Sequence, residues 1–238
     1  GADEFFGGYN IYREPFDLKK ITDMPKPLRH FAGNVAKKMP KMKGRNYLIR
    51  GSMDLEERFI GNAKIFTQEE REEILKNPTG NFPPASLTAP YYKKAESLSD
   101  VTKMQYIDTN FWLVGDILLK ADKMSMANSL EVRVPFLDKE VFKVASRLPV
   151  KYKVTDENTK FAMRKAAFRH LPEATAQKKK LGFPVPIRVW LRQEKYYNTV
   201  KDAFSSETAQ KYFKTEKLIG MLDTHKSGKE DLSRKLWT

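Results

Sequence analysis

Residues 99 to 121, SDVTKMQYIDTNFWLVGDILLKA, place Met104, Ile107, Phe111, Val114 and Leu118 at spacings of three and four. That period belongs to a helix, because it lays these side chains in one stripe along a 3.6-residue winding. A strand would need strict alternation, and the chain has no run of alternating segments. Asp108 follows Ile107 at the edge of the stripe, with Asp116 and Asp122 beyond it. The chain is therefore expected to be built on helices.

Other stretches agree. Residues 67 to 77 read as a helix in which Thr67 is the N-cap, Glu70 completes a capping box, and Asn77-Pro78 stops the winding. Four prolines between 78 and 90 read as a loop. Asp138 caps a helix that closes before Pro149. A further helix is expected from about Asn158 to His170, and the tail from 194 to 238 reads as helical. Residues 26 to 50 read as short basic helices broken at Pro40 and Gly44.

Composition narrows the function classes. The 238 residues suffice for one sizeable core. There is no cysteine, so neither a disulfide framework nor thiolate chemistry is open to it, which fits a reducing, cytoplasmic setting. No apolar run approaches the roughly 20 residues of a membrane span. The three histidines lack metal-ligand spacing. Net charge is +14 and unevenly spread. Residues 1 to 50 hold 11 Lys/Arg against 5 Asp/Glu, and residues 151 to 192 hold 11 against 3. Such blocks suit an anionic ligand or partner, although solvated helix faces also produce them.

Four segments carry more specific information: GADEFFGGY at the start, DILLKADKMSMANSLEVRVPFLD from residue 116, TKFAMR from 159, and KKLGFPVP from 179. In SLEVRVPFLD the apolar residues should pack into a core, leaving Glu131 and Arg133 in need of buried polar partners. By order and spacing the four segments resemble the C-terminal synthetase domain of glutamine-hydrolysing asparagine synthetases. The resemblance spans residues 1 to about 192. Phe5 stands where leucine or valine is common in that family, and Pro184 where glycine is common.

The resemblance implies a mainly α chain: the helical C-terminal portion of an α/β ATP-pyrophosphatase (adenine nucleotide alpha hydrolase-like) synthetase domain, its sheet largely missing. Residues 1–238 are then expected to be a single-domain fragment, with the glutaminase domain and the Ser-Gly-Gly-x-Asp-Ser ATP loop absent from this sequence. Where a sheet would pack, apolar surface should lie exposed. The implied chemistry uses ATP and Mg²⁺ to adenylate the aspartate side chain, and glutamine-derived ammonia then displaces AMP. Neither nucleic acid nor membrane is an expected partner, and a homodimer is allowed.

The site residues follow from the same resemblance. Asp3 is a hard oxygen ligand of the kind Mg²⁺ prefers, implied to meet metal and pyrophosphate, with an N-cap as its ordinary alternative. Glu4 supports the site. Lys160 is implied to face the α-phosphate. At an effective dielectric near 20 and about 5 Å such a pair contributes roughly 3 kcal/mol, on the order of 10² in rate. Arg164 lies one turn further on, and Lys179 and Lys180 could reach pyrophosphate from a loop. Glu131 is implied near the acceptor carboxylate, with Asp122 close in sequence; for both, a structural ion-pair network is the alternative. Related synthetases that make β-lactams, cyclise peptides or modify surface glycans share these motifs. A basic helical nucleic-acid-binding module would also explain the charge, but no motif supports it.

Overall fold

The computed structural model describes residues 1–40, 42–78, 83–178 and 185–238. It is mainly helical, and the described residues contain no strand beyond two isolated bridges, Leu75 with Phe213 and Val154 with Thr159. Among them no helix is long and apolar enough to cross a membrane. The chain divides into two compact units: Gly1–Ala63 with Pro84–Lys178, and Lys64–Pro83 with Lys179–Thr238.

The expected long helix is the spine of the first unit. Ser99 caps it, its hydroxyl accepting from the Thr102 N–H, and it runs from Asp100 to Met126. Met104 and Ile107 are fully buried beside Tyr12, Leu55, Phe59, Tyr92, Val101 and Val154. From Thr109 to Leu118 the winding widens to a π-helix, with i→i+5 bonding. A stripe laid out on a 3.6-residue period loses phase there. Leu113 is 2% exposed, whereas Val114, expected in the stripe, is 58% exposed.

Asp108 is the last α-helical residue before this change and has no exposed surface. It accepts from Tyr12 Oη at 2.7 Å, from the Asn62 backbone N–H at 2.9 Å and from Asn62 Nδ2 at 2.5 Å. Burial pushes its carboxyl up to about 6, although those donations pull the other way. Burial, then the charge of Asp108, raises the Tyr12 phenol well above its ordinary value. This buried node ties the long helix to two segments far away in sequence.

Part of the basic N-terminal block is folded onto acids. The helices Lys26–Lys38 and Arg45–Ser52 meet around Gly44, which has φ +91°. Glu14 accepts from Arg50 and from Arg58, the latter at 3.2 Å. Asp54 accepts from Lys26 at 2.8 Å and from the buried Arg29. The Lys26 hydrogen bond, helped by Arg29, holds Asp54 below the usual carboxylate range.

Three expectations change. The loop expected over residues 78 to 90 gives way to a helix, Ala85–Lys94, with Pro90 inside it. Tyr92 explains this: it is buried in the core and its hydroxyl donates to the Phe59 carbonyl at 2.7 Å, so tertiary packing overrides the proline. The helix expected from Asn158 to His170 is regular only over Phe161–Ala167. The SLEVRVPFLD segment is exposed: Leu130, Val132, Val134 and Phe136 all face solvent, and Glu131 pairs with Arg133 at 2.7 Å in the open. Ser129, at φ 54°, turns the chain out of the long helix at this point. Apolar side chains are uncovered here, and the core position expected for this segment is not taken up.

In the second unit the capping box at Thr67 and Glu70 is as read, on the helix Gln68–Ile74. The tail helices Glu194–Ser205 and Thr215–Lys226 enclose Leu191, Tyr197, Leu222 and Leu236. His225 is fully buried; its Nδ1 accepts from the Leu232 N–H, so Nε2 carries the proton and donates to the Arg188 carbonyl at 3.0 Å.

Two stability measurements on the 238-residue chain check this reading. Leu113→Ala should cost on the order of 2–4 kcal/mol in urea denaturation, while Val114→Ala should stay within about 0.5 kcal/mol. The reverse order would restore an unbroken α-helical phase. Asp108 gives a pH signature. Its folded pKa is raised, so its contribution is full below about pH 4 and is lost as pH rises through about 6. Asp108→Asn has no such proton. Between pH 4 and pH 7 the variant should therefore gain on the wild type by on the order of 2–3 kcal/mol. A stability difference independent of pH would exclude the buried, proton-holding carboxyl.

Candidate active site

The opening helix, Ala2–Phe6, is too short to hold itself and is fixed by its neighbours. Gln105, on the long helix, donates from Nε2 to the carbonyls of Glu4 at 2.6 Å and Phe5 at 3.2 Å. Phe5 meets Phe142 edge-on with ring centroids 5.0 Å apart. Glu4 is 1% exposed and acts as an internal strut. Its carboxylate accepts from Tyr9 Oη at 2.7 Å and lies 2.7 Å from the Gly1 nitrogen, while Tyr9 Oη accepts from Trp112 Nε1 at 3.0 Å. Burial, then Glu4, raises the Tyr9 phenol far above its ordinary value.

The two glycines that follow have different work. Gly7 caps the helix at φ +73°, a conformation that disfavours side chains. A Cβ there would also stand 2.4 Å from Val154 Cγ2. At Gly8 a Cβ would stand 1.9 Å from Asp3 Oδ1 and 2.9 Å from Asp3 Cα. The Gly-Gly turn thus brings residues 153 and 154 against the helix end and leaves room for the Asp3 carboxylate.

Lys160 arrives from the other side. Thr155 closes a tight turn, its Oγ1 accepting from the N–H groups of Glu157 and Asn158. Lys160 is the N-cap of the helix Phe161–Ala167 and sits at φ 54°, ψ 38°, a left-handed conformation rarely taken by a lysine. Its N–H donates to the Gly7 carbonyl at 3.3 Å. Its ammonium lies 3.0 Å from Asp3 Oδ1, both side chains being partly exposed. Two residues 157 apart in sequence therefore share one ion pair.

The remaining candidates are placed differently. Arg164 donates to three carbonyls, those of Thr159 at 3.0 Å, Ala176 at 3.2 Å and Lys178 at 3.0 Å, and so braces the chain after the Lys160 helix. Asp122 and Glu131 are exposed on and after the long helix, and neither makes a described contact with Asp3 or Lys160. Lys179 and Lys180 lie outside the described residues. Sequence reasoning missed Gln105, Tyr9, Trp112 and the separate roles of the two glycines. Gln105 had a signal: a polar residue directly beside Met104 on the buried stripe.

Among the described residues no group of three or more His, Cys, Asp or Glu side chains could enclose a metal ion. Asp3 alone suits a Mg²⁺ that arrives already coordinated by phosphate oxygens and water, and does not suit an all-protein cage. A carboxylate beside an ammonium, at the mouth of a strained turn, can exchange partners: the acid takes a cation and the ammonium takes an anion. Substrates that bring both, such as a metal-bound polyphosphate, match this arrangement.

The whole chain, residues 1–238, matches the family model for asparagine synthase. It is 47% identical over its full length to asparagine synthetase [glutamine-hydrolyzing] 1 of Bacillus subtilis, of which it spans 38%. It is equally identical to a putative asparagine synthetase [glutamine-hydrolyzing] of Mycobacterium tuberculosis strain H37Rv, of which it spans 37%. Asparagine synthetase [glutamine-hydrolyzing] 3 of B. subtilis is 26% identical over 77% of this chain. No solved structure matches the chain. The chain belongs to the asparagine synthase family, and it spans less than two fifths of the length of the relatives that match it over its whole extent.

The close approach at Gly8 is testable. Gly8→Ala should displace the Asp3 carboxylate and destabilise the chain by about 1–3 kcal/mol. Gly115→Ala, where a Cβ meets nothing within 4 Å, should be neutral or slightly stabilising. Equal denaturation midpoints for the two variants would remove the steric argument.

Proposed function

We propose that this chain forms one wall of the synthetase site of a glutamine-hydrolysing asparagine synthetase. The reaction adenylates the aspartate side-chain carboxylate with ATP, releasing pyrophosphate, and ammonia from glutamine then displaces AMP to give asparagine. The observation that carries the reading is the Asp3–Lys160 pair at 3.0 Å, formed by two of the segments that resemble the family.

In this reading the pair opens when ATP arrives. Lys160 turns its ammonium to the α-phosphate, where negative charge grows as the carboxylate attacks. The left-handed cap fixes the origin of its side chain, so reorganisation is confined to the flexible stem. Asp3, released, is the residue that would hold Mg²⁺. The ion would supply charge neutralisation on the leaving group. Glu4, Tyr9, Trp112 and Gln105 keep the opening helix in place throughout. Arg164 braces the chain after the Lys160 helix, and the family likeness assigns Lys179 and Lys180 to pyrophosphate. The same likeness assigns Glu131 and Asp122 to the aspartate side of the site, and a homodimer would cover exposed apolar surface.

The Ser-Gly-Gly-x-Asp-Ser loop that holds ATP phosphates in the family does not occur in these 238 residues. The chain by itself should accordingly release no pyrophosphate from ATP, Mg²⁺, aspartate and ammonia; turnover by the purified chain would defeat this expectation.

The role of Lys160 is read in a full-length synthetase carrying this segment. Lys160→Ala should lower the synthetase rate by on the order of 10² or more, with a much smaller change in apparent affinity for aspartate. Glutaminase activity should persist. Lys165, whose ammonium lies over the Phe161 ring, is the control. Near-normal synthesis by the Lys160 variant, or equal effects at both lysines, would return Lys160 to the role of an ordinary surface residue.

A further inference from the structure

A cavity of about 430 Å³ opens on the first unit, separate from the Asp3–Lys160 pair, between the opening helix, the long helix and the helix Lys139–Arg147. Its walls are mostly apolar, with Phe5, Leu98, Tyr106 and Phe142 prominent. Two polar residues in the lining are unusual. Lys153 is 6% exposed, and its ammonium has neither ion pair nor hydrogen bond among the described residues. Burial lowers its pKa, and no neighbouring carboxylate offsets that effect. Gln105 is 5% exposed, and its Oε1 has no donor. The amide cannot be turned around, because Nε2 is committed to the two carbonyls of Glu4 and Phe5.

Each orphan has a cost. A buried carbonyl without a donor costs about 1–3 kcal/mol, and partial burial of a lysine with no counter-charge disfavours its ammonium as well. Folds rarely keep two such groups facing one apolar cavity unless something satisfies both. The missing partners have opposite character: an anion for Lys153 and an N–H donor for Gln105. The carboxylate in the lining, Glu4, is already engaged by the Tyr9 hydroxyl. The volume lies at the lower end of the range of small-molecule sites.

We propose that this cavity binds a small apolar carboxylate that also carries an N–H donor, the chemistry of an apolar amino acid. The carboxylate pairs with Lys153, the donor meets Gln105 Oε1, and the apolar body lies among Phe5, Leu98, Tyr106 and Phe142. The assignment does not rest on the proposed synthetase role.

The test is calorimetric titration of the purified 238-residue chain at pH 7 with three probes. L-Phenylalanine has all three features, phenylacetate lacks the donor, and phenethylamine lacks the carboxylate. L-Phenylalanine should bind saturably. Phenylacetate should bind about tenfold more weakly, the equivalent of one unmet buried hydrogen bond, and phenethylamine should not bind. Lys153→Met keeps the stem and removes the charge. It should lose L-phenylalanine binding while melting at the same temperature as the wild type or higher, since it removes a charge that burial disfavours. The proposal is overturned if L-phenylalanine does not bind, if phenethylamine binds as well, or if Lys153→Met binds unchanged. The probe comparison uses wild-type protein only, so it decides the matter even if the variant does not fold.

Discussion

A single backbone hydrogen bond, from the Lys160 N–H to the Gly7 carbonyl, sets the geometry on which the candidate site depends. It joins the start of one helix to the end of another across most of the sequence. Both partners are in left-handed conformations, one natural for glycine and one strained for lysine. The strain at Lys160 is of order 1–3 kcal/mol and must be offset by surrounding packing. That packing is visible: Val154 and Lys153 press against Gly7, where any side chain would collide. The Asp3–Lys160 ion pair is a consequence of this contact. Partly exposed pairs contribute little stability, so the pair matters for where it puts two opposite charges.

The same segments carry two different electrostatic arrangements. At the mouth, Asp3 and Lys160 neutralise each other and remain accessible to solvent. Behind them, Glu4 and Gln105 are buried, and each is bonded to a different part of the fold. One short helix thus faces a labile pair on one side chain and rigid struts on the next. The basic blocks have a comparable division. Arg29, Arg50 and Arg58 are held by Asp54 and Glu14, so part of the positive excess serves internal structure and never reaches a partner. The apolar surface at Leu130, Val132, Val134 and Phe136 has the opposite character: apolar side chains uncovered on a chain that spans under two fifths of its relatives.

Much of this was legible in the sequence where one local rule decided the outcome. Ser99, Thr67 and Asp138 are caps because their side chains reach the first free N–H groups, and spacing alone reveals them. The helix through Met104 and Ile107 follows from its period. The phase break after Asp108 does not, because the π winding has no local sequence mark. Pro90 inside a helix was illegible for a related reason: the decisive contact, Tyr92 to Phe59, is 33 residues away in sequence. Asp3 and Lys160 were each identified by family resemblance, but their contact depends on the exact course of residues 153–160. Glu131 illustrates the opposite failure. Its apolar neighbours suggested a core, but Leu130, Val132, Val134 and Phe136 around it are all exposed.

The central claim is that the folded chain itself brings Asp3 and Lys160 together. A double-mutant cycle with Asp3→Asn, Lys160→Met and the pair, read by urea denaturation of the purified chain at low salt, tests it most directly. Contact at 3.0 Å predicts non-additivity of about 0.5 kcal/mol or more, shrinking as salt is added. Strict additivity at low salt would mean that the two charges do not meet, and the account of the site would fall with them.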